Sequence, residues 1–188
     1  GTVLDREATP RTTRRARMPD PETFTGEPQK FDGWLAKVQL KLTETGSFPD
    51  EMSKCRYVIG LLAGSAYDQI RHLITDNGLA VDNVTGITDL LKKAFADPDP
   101  DATARRALQT CLQRNRRFVD FHAELTRYFN QLALDDKTRL MLTQDRLSQE
   151  LKQAIANADT VPEEYDAWVT WLQNKDTRLA AYQNETRR

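Results

Sequence analysis

Two histidines, two cysteines and paired acids such as Asp135-Asp136 and Glu163-Glu164 are the side chains in this 188-residue sequence best suited to chemistry. His72 and His122 could ligate a metal or move protons, and Cys55 and Cys111 could act as thiolates. Asp135-Asp136 and Glu163-Glu164 could share general acid–base work. None has the company such chemistry needs. Neither histidine has a second His, Cys or carboxylate at a ligand-like spacing that reads as a metal site, and neither cysteine has a Cys-x-x-Cys partner. The paired acids fall at predicted helix starts, where a carboxylate opposes the positive end of the helix dipole. Gly60-Leu-Leu-Ala-Gly64 lacks the lysine and hydroxyl of a phosphate-binding loop, and neither Gly-x-Ser-x-Gly nor the Asp-Thr-Gly or Asp-Ser-Gly of a retroviral-type protease occurs. The protein is therefore not expected to be an enzyme, and no metal or other cofactor is expected.

The elements that carry these residues read as helices. Phe31, Trp34, Leu35, Val38 and Leu42 recur at offsets of 3, 4, 7 and 11 and line one helical face. A second helix follows an Asp50 cap with Met52, Cys55, Ile59 and Leu62 inward. A third starts at Ser65 and carries Ala66, Ile70, Leu73 and Ile74 to Asn77-Gly78, and a fourth runs from about Thr85 to Phe95. Leu79 to Val84 is the one place where a short extended stretch is expected. Asp97-Pro98-Asp99-Pro100-Asp101 forbids helix continuation and offers Asp99 as a cap with Pro100 in the first turn, so a boundary between two lobes is placed there. Beyond it, Ala104, Leu108, Cys111 and Leu112 form a fifth stripe. Phe118, Phe121, Leu125, Tyr128, Phe129 and Leu132 form the best amphipathic pattern in the chain. Asp135 and Ser148 start the seventh and eighth helices, and Thr160 with Glu163 forms a capping box for a ninth bearing Tyr165, Trp168, Val169 and Leu172. The expected class is all-α, with a flexible basic arm over residues 1–23 and lobes over 24–97 and 98–188.

Charge narrows the partners. With 27 basic and 28 acidic residues and a net charge of −1, the chain lacks the overall excess of a phosphate-binding protein, so any nucleic-acid contact must be local. Arg11, Arg14, Arg15 and Arg17, in an arm broken by Pro10, Pro19 and Pro21, are the candidates. No apolar run is long enough to span a membrane, and the unpaired cysteines suit a reducing, intracellular compartment.

Phe24-Thr-Gly26 followed by Phe31-Asp-Gly-Trp34-Leu35 resembles the entry of the gypsy-class LTR-retrotransposon Gag capsid, where an extended Phe-x-Gly precedes a first helix containing Trp-Leu. Leu62-Ala-Gly64-Ser-Ala66 resembles that family's Leu-x-Gly-x-Ala junction between its second and third helices. Leu90-Leu91-Lys-Lys-Ala-Phe95-Ala-Asp97, then Ala104-Arg105, Leu108 and Leu112-Gln113, then Phe118-Val119-Asp120-Phe121 and Phe129-x-x-Leu132 resemble its succession across the lobe boundary. Ile87 departs from the tryptophan frequent early in the family's fourth helix, and no zinc knuckle is present.

The resemblance implies two helical lobes like the N- and C-terminal domains of retroviral capsids. It also implies self-assembly into cytoplasmic virus-like particles of hexamers and pentamers around element RNA, with neighbouring rings joined by a C-terminal-lobe dimer. A nucleocapsid part would then lie beyond Arg188. The helix after Asp135 corresponds by order to the retroviral dimer helix. It cannot bury Leu140, Met141 and Leu142 against one core, so Met141, Thr143 and Gln144 are candidates for self-association. Trp171, at the edge of the Tyr165–Trp168–Leu172 stripe, is a further one, whereas Trp168 is expected in the core. Arg105-Arg106 and Arg114 with Arg116-Arg117 read as solvated helix ends. The alternatives are a domesticated Gag relative that binds peptide partners, as in the neuronal Arc protein, and a plain helical adaptor.

Overall fold

A computed structural model of the protein describes residues 16–188. It is all-α: among the described residues there are nine α-helices, one 3-10 turn and one two-stranded hairpin. The chain divides into two compact units, Gly1–Asp97 and Pro98–Arg188.

In the first unit, α1 (Pro28–Leu42), α2 (Glu51–Gly60), α3 (Gly64–Ile70) and α4 (Val84–Phe95) enclose a core of Phe31, Trp34, Val38, Cys55, Val58, Ala66, Ile70, Ile87, Leu91 and Phe95. Asp50 caps α2 by accepting the Ser53 N–H at 2.7 Å, and Asn83 caps α4 through the Gly86 N–H. The third helix is shorter than its stripe suggests. It gives way at Arg71–Leu73 to a 3-10 turn and then to strands β1 (Ile74–Thr75) and β2 (Gly78–Leu79), paired antiparallel with Ile74 opposite Leu79. Asp76-Asn77 make the two-residue turn, and Gly78 follows it at a φ of +105°. Ile74 therefore stands on an exposed strand rather than on a buried helical face. The expected extended stretch thus lies earlier, because a turn-forming Asp-Asn-Gly outweighs helical spacing over so few residues.

The predicted arm also differs from what is seen. Its first 15 residues lie outside the described residues, but from Met18 onward the backbone is fastened. Lys41 Nζ donates to the Met18 carbonyl at 2.6 Å and pairs with Glu44 at 2.8 Å. The Tyr57 hydroxyl donates to Asp20, and the Trp34 indole N–H to the Glu22 carbonyl at 2.7 Å. Composition could not show this, since most of these anchors are backbone groups. Phe24 then enters the core, against Trp34 at 5.1 Å and Phe95 at 5.2 Å. Its N–H donates to Leu61 and its carbonyl accepts from Ala63. Two sequence motifs meet here. Gly26 has a φ of +107° and room for no side chain, since a Cβ would fall 1.9 Å from Ser65 Oγ, and a Cβ on Gly64, at a φ of +55°, would fall 3.0 Å from the Thr25 carbonyl oxygen. Phe-x-Gly and Leu-x-Gly-x-Ala are the two sides of one backbone junction.

In the second unit, α5 (Pro100–Thr110), α6 (Phe118–Leu132), α7 (Asp136–Asp145), α8 (Gln149–Asn157) and α9 (Tyr165–Thr186) surround Phe118, Phe121, Leu125, Phe129, Leu151, Tyr165, Trp168 and Leu172. Asp99, Asp135 and Ser148 cap α5, α7 and α8 as the sequence predicts. The ninth helix is capped differently. Glu164, not Thr160, accepts the N–H groups of Asp166 and Ala167 at 3.0 and 2.9 Å. Pro162 disfavours helical backbone at Val161, so the helix cannot begin at Thr160.

Candidate self-association surface

On α7, Leu140 and Leu142 pack partly against the core while Met141 points out, 55% exposed. At about 100° per residue, Gln144 falls about 60° from Met141 and Thr143 nearly opposite it. Gln144 is accordingly exposed. Thr143 is not a surface residue. It is fully buried and its hydroxyl donates to the Arg139 carbonyl at 2.7 Å, so the expectation that it contacts a partner is corrected. Exposed Lys137 and Asp145, which sequence reasoning passed over, stand one turn before and one turn after Met141. The signal was available, as opposite charges four residues either side of an outward apolar residue. Trp171 is half-buried against the core, with Lys175 Nζ 5.2 Å from its ring centroid, so it offers an edge rather than a free face. Trp168 is in the core.

Of the four arginines predicted to meet RNA, Arg11, Arg14 and Arg15 lie outside the described residues, and Arg17 is exposed beside the fastened strap. The downstream basic cluster is more structural than the sequence implies. Arg116 pairs with Glu124, donates to the Leu112 carbonyl at 2.8 Å and lies over the Phe121 ring. Arg117 pairs with Asp176 of α9 at 2.8 Å, and Asp176 also accepts the Phe118 N–H, capping α6 from another helix. Gln113, 1% exposed, is a further buried junction: its N–H donates to Arg146, its Nε2 to the Arg116 carbonyl, and its Oε1 accepts from the Ser148 N–H.

The two histidines separate. His72 is exposed on the 3-10 turn. His122 stacks on Phe118 at 5.3 Å and shares a 2.7 Å hydrogen bond with the Tyr165 hydroxyl. Burial, helped by the charge of Arg139 and opposed by Asp166, holds its imidazole below the usual value of 6.5. The folded protein therefore favours neutral His122, and its contribution to stability is present above pH 6.5 and is lost as pH falls towards the lowered value. Glu124 and Asp135 are held below ordinary carboxylate values of 4.5 and 3.8, by Arg116 and by Thr138 respectively, so their losses come at lower pH. Urea midpoints are thus expected to fall between about pH 7.5 and pH 5.5 in the native protein, and a His122→Asn variant is expected to flatten that slope.

Among the described residues no group of three or more His, Cys, Asp or Glu is placed to hold a metal, and no helix is long and apolar enough to cross a membrane. The fold and surface define an all-α chain of two compact helical units, one presenting an apolar residue between opposite charges on an outward helix face. No protein-family model matches the sequence, and no curated protein matches it either.

Proposed function

We propose that this protein is a structural Gag capsid protein of the gypsy retrotransposon class, which assembles with copies of itself into cytoplasmic virus-like particles around element RNA. What supports the reading from sequence is the ordered resemblance from Phe24 to Leu132. The observation that carries it is the surface of α7. Lys137, Met141 and Asp145 are spaced so that a twofold axis through Met141 sets each Lys137 against the Asp145 of a second copy and one Met141 against the other. Such a face is complementary to itself, which is the requirement of an isologous contact. Its rim is polar, with Lys137, Gln144 and Asp145 exposed around Met141, and shells built from weak contacts can correct errors during growth. Arg11, Arg14, Arg15 and Arg17 would neutralise phosphates of the enclosed RNA.

Met141→Glu places like charges across that axis. It is expected to weaken self-association by about tenfold or more while leaving thermal unfolding unchanged, since the side chain is outside the core. Light scattering and circular dichroism on the same samples check it. Unchanged assembly would remove α7 from the contact, and a loss of helical signal would show Met141 to be structural.

A further inference from the structure

Near its end, α9 leaves the body of its unit. Leu172 is buried, Asp176 ties the helix to the start of α6, and Leu179 is the last side chain packed against the core. From Ala181 onward every residue is exposed, yet the helix continues to Thr186. Within that stretch Tyr182 is 66% exposed, the most exposed large apolar side chain among the described residues. Short helical segments draw most of their stability from packing one face, so an outward aromatic here marks a face suited to being covered.

We propose that this end of α9 is a second self-association surface, on which α9 of another copy of the chain docks antiparallel beside Tyr182. The proposal rests on the self-assembly reading and adds a contact to it. Charge placement argues for a second copy as the occupant. Leu179 and Tyr182, three residues apart, share a stripe, and Arg178 and Glu185, seven apart and both exposed, lie along one edge of it. In an antiparallel helix pair, Leu179 of one copy faces Tyr182 of the other. The edge residues then bring Arg178 opposite Glu185, and the twofold axis makes each contact twice. A single twofold contact closes a dimer and stops. Two such contacts on different helices, α7 and α9, link copies without closing, as an extended lattice requires.

The test is sedimentation equilibrium of the whole chain carrying Met141→Glu, which silences the α7 contact. Concentrations should reach about 1 mM, the range in which contacts of this size act. A monomer–dimer equilibrium is expected to persist. Arg178→Glu or Glu185→Arg alone should weaken it by about tenfold or more, and the two together should restore it, because the pair is exchanged rather than lost. Met141, Arg178 and Glu185 are exposed, so folding is not at stake. If Met141→Glu leaves a strict monomer while the native chain assembles, the α9 contact is wrong and the self-assembly reading stands. If the charge exchange restores dimers but the native chain never builds beyond them, the contact stands and that reading fails. Failure of the double exchange to restore association overturns the antiparallel pairing. Tighter association of Glu185→Arg with single-stranded RNA, without any change in dimerisation, would assign the face to RNA and overturn the proposal.

Discussion

Gln113→Ala is expected to destabilise the second unit by about 3 kcal/mol, leaving two polar partners unsatisfied and a cavity behind. Gln113 joins three segments through two side-chain hydrogen bonds and one from its backbone. Its Nε2 donates to the Arg116 carbonyl at 3.1 Å, its Oε1 accepts from the Ser148 N–H at 2.8 Å, and its own N–H donates to Arg146 at 3.0 Å. Ser148 is the cap of α8, so this one amide holds the loop before α6 and the start of α8 in register. Hydrogen exchange reads the effect unit by unit. Protection in α8 and α9 should drop roughly a hundredfold, while α1 and α2 keep theirs. Gln113→Met refills the volume without the hydrogen bonds, so it should recover only the cavity part. Full recovery by methionine would mean that packing, not the amide network, is what Gln113 supplies.

The second large effect belongs to the first unit. Phe24→Ala is expected to cost about 4 kcal/mol, the usual range for deleting a buried phenyl ring. Phe24 is stacked on Trp34, meets Phe95 edge-on and stands 5.5 Å from Phe31. It is also the point at which the strap pairs with the α2–α3 junction. Losing the ring should free residues 18–26, so limited proteolysis should cut there well before the remainder of the unit is lost. Phe24→Leu should retain most of the burial and lose less than half as much stability. An Ala variant that resists proteolysis like the native chain would show that the hydrogen bonds to Lys41, Tyr57 and Trp34 hold the strap without it.

Much of the helical layout was legible because its signals are local. The Asp50, Asp99, Asp135 and Ser148 caps and the Phe118–Leu132 stripe each depend on residues within a few positions of one another. What escaped depends on distant partners. The strap at Met18–Glu22 is held by a lysine, a tyrosine and a tryptophan whose targets are largely carbonyls, and no composition measure registers those. Glu164 displaced Thr160 as a cap because Pro162 shifted the helix start. Thr143 is a candidate only by its place in a helix, and its orientation towards the core follows from the two steps of about 100° that separate it from the outward Met141. On the candidate surface, Met141 and Gln144 were legible from that crowding of apolar residues. The flanking charges Lys137 and Asp145 were equally local, and their meaning appears only when a second copy is placed against the first.

Self-assembly is most directly tested by negative-stain electron microscopy of the native chain at rising concentration, with and without salt and single-stranded RNA, beside Met141→Glu under the same conditions. Shells or curved sheets of the native protein are expected, favoured by high concentration and RNA, with few or none from the variant. A native chain that remains a monomer under every condition would contradict self-assembly.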